Sequence, residues 1–219
     1  MLDILPDRNK ETLEKWLDQF TLEQRSVVET VCIDMWEQYR QVAEAKLPKA
    51  KVVADRFHVQ KNLNDAITKA RRAIQHEADK KVREQLKGCR WLIVRNYADL
   101  KDDQKEKLHA MFAVSPALQL LHQLKEEFRA IFDLEDRCAA ETALATWVDE
   151  VKASGLKHLD AFLTTLKNWG QYILNYFDGR WSNGFAEGVN NCLKLIKRRA
   201  YGYRNFDNFR LRVLVECGP

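Results

Sequence analysis

Two short β-branched runs, each closed by a carboxylate and separated by one helix length, restrict the fold more than any other feature. Val27-Val28-Glu29-Thr30-Val31-Cys32-Ile33-Asp34 reads as a buried parallel strand ending on an acid. Met35 to Leu47 follows with Met35, Tyr39, Val42 and Leu47 roughly on one helical face, and Pro48 closes it. Lys51-Val52-Val53-Ala54-Asp55 is then a second strand, again ending on an acid. Strands joined through a helix pair in parallel as a βαβ crossover. Their carboxyl ends, with Asp34 and Asp55, therefore come to one sheet edge, where α/β proteins place their sites.

Around this unit the pattern is mostly helical, so the expected class is α/β, predominantly helical. Leu2-Asp3-Ile4-Leu5, closed by Pro6, reads as a strand end. Asn9 is a candidate N-cap for a helix through Trp16, and Thr21-Leu22-Glu23-Gln24 has the capping-box pattern. Val59 to Leu86 reads as one long amphipathic helix, and Leu92-Ile93-Val94 as a brief strand or a turn core. A turn with a cap at Asp99 to Asp102 precedes a helix through Met111. Further helices are expected at about 116–132, 134–153 and 156–177, broken at Ser154-Gly155. Three regions result: a core over 1–61, a helical insertion over 62–176, and a helix with a basic tail over 177–219 that completes the core.

Composition removes several classes. Apolar residues at 46% and charged residues at 31% of 219 describe an ordinary folded protein with a real core. No apolar run is long enough to span a membrane, and the first residues lack the regions of a signal peptide. The five cysteines (Cys32, Cys89, Cys138, Cys192, Cys217) are odd in number and include no CxxC pair, so reduced thiols in a cytosolic protein are expected. Net charge is only +4, but it is uneven. From Gly179 onward eight Lys and Arg face three Asp and Glu, which points to a polyanionic partner at that end.

That end carries Ser182-Asn183-Gly184-Phe185-Ala186-Glu187-Gly188-Val189-Asn190-Asn191, a predicted helix on which Glu187 is a lone acid among amides and small residues. Acids from two strands and a helix are the usual means of holding two divalent cations for phosphodiester chemistry. Two carboxylates 4 Å apart repel by about 4 kcal/mol at an effective dielectric of 20, which bound cations offset. Oxygen ligands without Cys or His pairing favour Mg²⁺ or Mn²⁺ over zinc. A strand-terminal Asp is also a common N-cap, and His58 can serve simply as a helix-start residue bonded to Asp55. Structural and chemical roles stay open for both.

Lys194, Lys197 and Arg198 stand at i, i+3 and i+4 with no interleaved acid, which favours nucleic-acid contact over a solvated face. Asn183, Asn190 and Asn191 can contact DNA or cross-link helices. Tyr201, Tyr203 and Phe206, among Arg199 and Arg204, can stack on bases or pack in a core. Trp147 and Trp169 read as core residues, and Trp181 as core or as a wedge for an extruded base.

Four blocks, in order, resemble the ISL-three family of bacterial insertion-sequence transposases. They are Val31-Cys32-Ile33-Asp34-Met35-Trp36; Val53-Ala54-Asp55-Arg56-Phe57-His58-Val59; Ser182 to Asn191; and Ile196-Lys197-Arg198-Arg199-Ala200-Tyr201-Gly202-Tyr203-Arg204-Asn205-Phe206. The resemblance implies a DDE-type, ribonuclease-H-like catalytic domain, with the βαβ unit and Glu187 helix as a partial core and a large all-α insertion between them. It matches Asp34 to the second acid of the triad, Glu187 to the third, and Asp55 with His58 to an Asp-x-x-His signature. It implies a two-metal site holding Mg²⁺ or Mn²⁺ through Asp34 and Glu187. Implied DNA contacts are Asn183, Asn190, Lys194, Lys197, Arg198, Arg199 and Arg204.

Double-stranded DNA, as transposon ends and target, is the implied partner, with self-association or a full-length transposase beside it, in the bacterial cytoplasm on the nucleoid. Two departures stand out. The first catalytic Asp belongs on an earlier strand of such a fold, and Asp3 matches the third strand instead. The zinc-binding and helix-turn-helix modules of a full-length member do not appear in these residues. The expectation is therefore an N-terminally truncated transposase domain, inactive alone; the alternative is a non-catalytic DNA-binding or regulatory remnant.

Overall fold

The computed structural model describes residues 3–88 and 90–218. The chain divides into two compact units, one formed by residues up to Asp55 together with the stretch from Arg180 onward, the other by Arg56–Gly179.

The first unit opens with α1 (Lys10–Leu17) and α2 (Leu22–Ser26). Asn9 occupies the N-cap position of α1 without a side-chain capping bond. Thr21 caps α2 in full: its hydroxyl accepts from the Gln24 amide, and the Gln24 side chain accepts from the Thr21 amide. Strands β1 (Thr30–Ile33) and β2 (Lys51–Ala54), linked by α3 (Glu37–Lys46), form the expected parallel pair. The register sets Val31 against Val52 and Ile33 against Ala54, and the Asp55 amide extends the ladder to the Ile33 carbonyl at 2.9 Å. Val52, Val53 and Ala54 are buried, as a β-branched run in a parallel sheet requires.

The second unit has no strand among its described residues and is built from α4 (Arg56–Glu77), α5 (Lys80–Gln85), α6 (Arg90–Val94), α7 (Asp102–Val114), α8 (Pro116–Ile131), α9 (Arg137–Ala153) and α10 (Asp160–Leu174). Helix α8 packs against α4, α6, α7 and α9. Its Phe128 gathers an edge-to-face aromatic cluster, 4.9 Å from Trp147 and 5.2 Å from Phe162 between ring centroids. Gly155, at φ +69°, makes the break after α9 that the Ser154-Gly155 pair implied.

The first unit resumes with α11 (Gly184–Arg199) and α12 (Phe206–Cys217). Tyr201 at φ +51° and Gly202 at φ +98° make the turn between them. Asn205 caps α12 by accepting from the Asp207 and Asn208 amides. Ile196, Phe209 and Val213 form the buried seam of this hairpin. Among the described residues no helix is long and apolar enough to cross a membrane.

Three expectations need correction. Asp3, Ile4 and Leu5 form no strand, and Leu2 lies outside the described residues. The Asp3 carboxylate instead accepts from the Ile4 amide, from the Trp16 indole at 3.3 Å and from the Arg210 guanidinium at 2.6 and 3.0 Å. Arg210 holds the Asp3 carboxyl below the usual carboxylate range. The long helix expected over 59–86 begins earlier, at Arg56, and is split before α5, because Asp79 accepts from the Val82 amide at 2.9 Å and starts a new helix. Leu92-Ile93-Val94 is helical, since α6 packs against α4 and α8 and buries Ile93, and tertiary packing outweighs β propensity there.

The second unit also buries a histidine. His122 is 5% exposed on α8, ringed by Tyr97, Phe112, His109, Lys125 and Glu126. Its Nε2 has no hydrogen-bond partner, with Glu126 Oε1 at 3.7 Å. Lys125, itself buried, donates to Glu126 at 2.6 Å and to the Arg95 carbonyl. Burial first, and then the Lys125 charge, push His122 down to about 4 from 6.5. The unfolded chain therefore binds more protons between those values. This histidine's contribution to stability is complete above about pH 6.5 and is lost as pH falls towards 4. Urea midpoints at pH 7 and pH 4.5 should fall more in the native chain than in His122→Phe; equal falls would contradict this.

Candidate functional site

The two strands place Asp34 and Asp55 directly after Ile33 and Ala54, which are register partners. The two acids thus end adjacent strands at one edge, but their surroundings differ. Asp55 is 4% exposed, and its Oδ1 accepts from the backbone amide of Asn183, the N-cap residue of α11, at 3.3 Å. A buried carboxylate on the amide end of a helix is favoured both by the hydrogen bond and by the helix dipole. One β1 residue makes a second tie to the same segment: the Cys32 thiol donates to the Trp181 carbonyl at 3.9 Å. Burial, and then the Asp55 charge, push that thiol up to about 12, so it stays protonated and able to donate.

Asp34 faces outward. Its side chain is 37% exposed and pairs with Arg8 at 3.7 Å, while the Arg8 guanidinium also lies 4.8 Å over the Trp36 ring. Glu187 stands exposed in the first turn of α11, and its amide donates to the Asn183 carbonyl at 2.8 Å. His58 lies on α4 of the second unit, its ring edge-to-face with Phe57. Among the described residues no group of three or more His, Cys, Asp or Glu side chains could hold a metal ion. The carboxylates present therefore do not fit a complete cation site.

The helix α11 is two-sided. Phe185, Val189 and Leu193 line a groove of about 440 Å³ with Ile4, Leu13 and Trp16, and Ile196 is buried against α12. At 100° per residue Glu187, Asn190, Asn191, Lys194 and Arg198 fall on one stripe, and all are exposed. Lys194 donates to Asn191 at 3.2 Å within it. Lys197, at the border, lies 4.7 Å over the Phe209 ring. Arg199 points away, paired with Glu216 of α12, which Arg212 also engages. Arg198 and Arg204 make no ion pair among the described residues, and Arg204 lies in the turn before α12. The structure thus places Asn190, Lys194 and Arg198 together with Glu187, puts Asn183 on Asp55, and sets Arg199 apart.

Sequence reasoning missed the Arg8 contact and the Trp181 carbonyl, which no local pattern signals. Tyr203 and Phe206 pack on the α11–α12 seam, whereas Tyr201 is fully exposed.

A DDE family profile of the ISL-three group, described as Transposase, matches residues 1–213. The transposase for insertion sequence element IS1001 of Bordetella parapertussis is 31% identical over 216 residues, covering 97% of this chain and 53% of that protein. The transposase for insertion sequence element IS1557 of Mycobacterium tuberculosis is 26% identical over 223 residues, covering 91% and 50%. A Lactococcus lactis protein named ATP-dependent protease is 34% identical over 107 residues, covering 48% of this chain and 32% of that protein. The chain spans about half the length of the curated transposases it matches. No solved structure matches it.

Proposed function

Because this chain belongs to the ISL-three family of transposases, we propose that it carries the second and third acids of a DDE site, Asp34 and Glu187, beside a DNA-binding stripe on α11. The observation that carries this reading is the bond from the Asn183 amide to buried Asp55. It fixes the first turn of the Glu187 helix at the strand edge that Asp34 closes, the arrangement a ribonuclease-H-like core needs. Residues 62–176 are then the helical insertion between the second and third acids. Asp55 is the anchor of the helix, and His58 belongs to the same signature.

Transposases of this class generally use divalent metal ions. Mg²⁺ or Mn²⁺ would suit these oxygen ligands, but the described carboxylates do not gather into a site for one. With Asp34 and Glu187 as two acids of the three and no third gathered to them among the described residues, the expected behaviour of the chain is DNA binding without cutting. A full-length transposase or a second copy is the partner with which it would act, on DNA in the bacterial cytoplasm.

A second reading, favoured by the exposed basic stripe on α11, is a non-catalytic DNA-binding role at transposon ends. Both readings require duplex binding. The test is fluorescence anisotropy of a labelled duplex against the purified chain at graded salt. The expected result is affinity that falls linearly with salt on logarithmic axes. Binding no tighter than that of an uncharged control protein would sink both.

A further inference from the structure

The α11–α12 hairpin brings together two cysteines that lie 25 residues apart and whose spacing gives no hint of a pair. Cys192 sits midway along α11 and Cys217 ends α12, both half-buried and packed beside the Ile196, Phe209 and Val213 seam. Their sulfurs are 2.7 Å apart. A disulfide bond is about 2.05 Å long, so closing it moves the sulfurs by well under about 1 Å, within a side-chain adjustment. The other described cysteines are placed differently. Cys32 donates to the Trp181 carbonyl, and Cys138 lies in the first turn of α9 in the second unit.

We propose that Cys192 and Cys217 are a reversible oxidation site, closing an intramolecular disulfide across the α11–α12 hairpin when the chain meets a peroxide. The hydrogen bond to Cys192, and then burial, push the Cys217 thiol above its usual range, so Cys217 takes the resolving role. Cys192 gives up its proton and its thiolate attacks a peroxide oxygen. The oxygen–oxygen bond breaks, giving Cys192 sulfenic acid and, for hydrogen peroxide, one water. The Cys217 sulfur then attacks the sulfenic sulfur and loses its proton. The sulfur–sulfur bond forms as hydroxide leaves, to become a second water. Two thiols are oxidised and one peroxide is reduced to two waters.

The closed loop spans Leu193 to Glu216 and so includes the Tyr201-Gly202 turn and the basic end of α11. Oxidation pins the last turn of α12, where helices ordinarily fray, to the middle of the Glu187 helix. This inference stands apart from the transposase reading, since it needs only the hairpin.

The test is peroxide treatment of the folded native chain, followed by alkylation of remaining thiols, digestion and mass spectrometry. The expected product joins the Cys192 and Cys217 peptides, lighter by two hydrogen atoms, and dithiothreitol restores both thiols. The melting temperature should rise by several degrees on oxidation, and Cys192→Ser should abolish that rise. Alkyl label on both cysteines after oxidation, or their pairing instead with Cys32, Cys89, Cys138 or another chain, would overturn the proposal. The peptide readout uses the native chain, so it holds whether or not the serine variant folds.

Discussion

Alanine at Lys194, Lys197 and Arg198 together is expected to weaken duplex binding roughly a hundredfold at about 0.1 M salt, and to flatten the salt slope by about two to three units. Lys194 and Arg198 share the exposed stripe with Glu187 and Asn190, and Lys197 borders it. Each cation that meets a phosphate releases a condensed counterion, so each contact removed lowers the slope by about 0.9. Arg199→Ala is the contrasting variant. Its guanidinium is already engaged by Glu216, so its loss should leave the slope nearly unchanged. The outcome that contradicts the stripe is an equal loss from both variants, or none from the triple. Circular dichroism melts separate lost binding from lost structure.

The second large effect concerns stability. Trp147→Ala should cost about 4 kcal/mol, read as a lower urea midpoint, because phenylalanine- and tryptophan-to-alanine changes in cores cost about 3–5 kcal/mol. Trp147 is 2% exposed, packs its ring on Phe128 and Phe162, and donates its indole N–H to the Leu124 carbonyl at 2.7 Å. Removing it deletes the largest ring of the cluster and opens a cavity between α8, α9 and α10. Trp147→Phe keeps much of the volume and loses the N–H donor, so its cost should be smaller by at least half. Nearly equal costs would mean that the hydrogen bond, not the packing, dominates.

Much of the first unit is legible in its residues because local chemistry decides it. The capping box at Thr21 and Gln24 forms as written, and the second β-branched run becomes a strand that stops at its acid; of the first run only Thr30 to Ile33 is strand, because Val27 ends α2 as its C-cap. The Glu187 segment is helical because its apolar residues recur at helical spacing and bury Phe209's neighbour Ile196. What sequence does not disclose depends on residues far apart in the chain. The Asp55–Asn183 bond spans 128 residues and the Arg210–Asp3 pair 207. Local signals also mislead where packing outweighs them, as at Ile93, whose β-branched neighbourhood is drawn into a helix. At Asp79 the signal was present, since an aspartate inside an apparent helix is also a capping residue. Within the site, the basic run read as one patch, whereas Glu216 divides Arg199 from the stripe.

The central proposal is that Asp34 and Glu187 serve as two acids of a transposase triad beside a DNA-binding stripe, with no third acid gathered to them among the described residues. Its most direct test incubates the purified chain with transposon-end DNA in Mg²⁺ or Mn²⁺ and resolves the strands on a denaturing gel. The account predicts bound DNA with no cleavage above the protein-free control. Efficient cleavage that Glu187→Gln abolishes would contradict it, and would mean that another carboxylate of this chain completes the site.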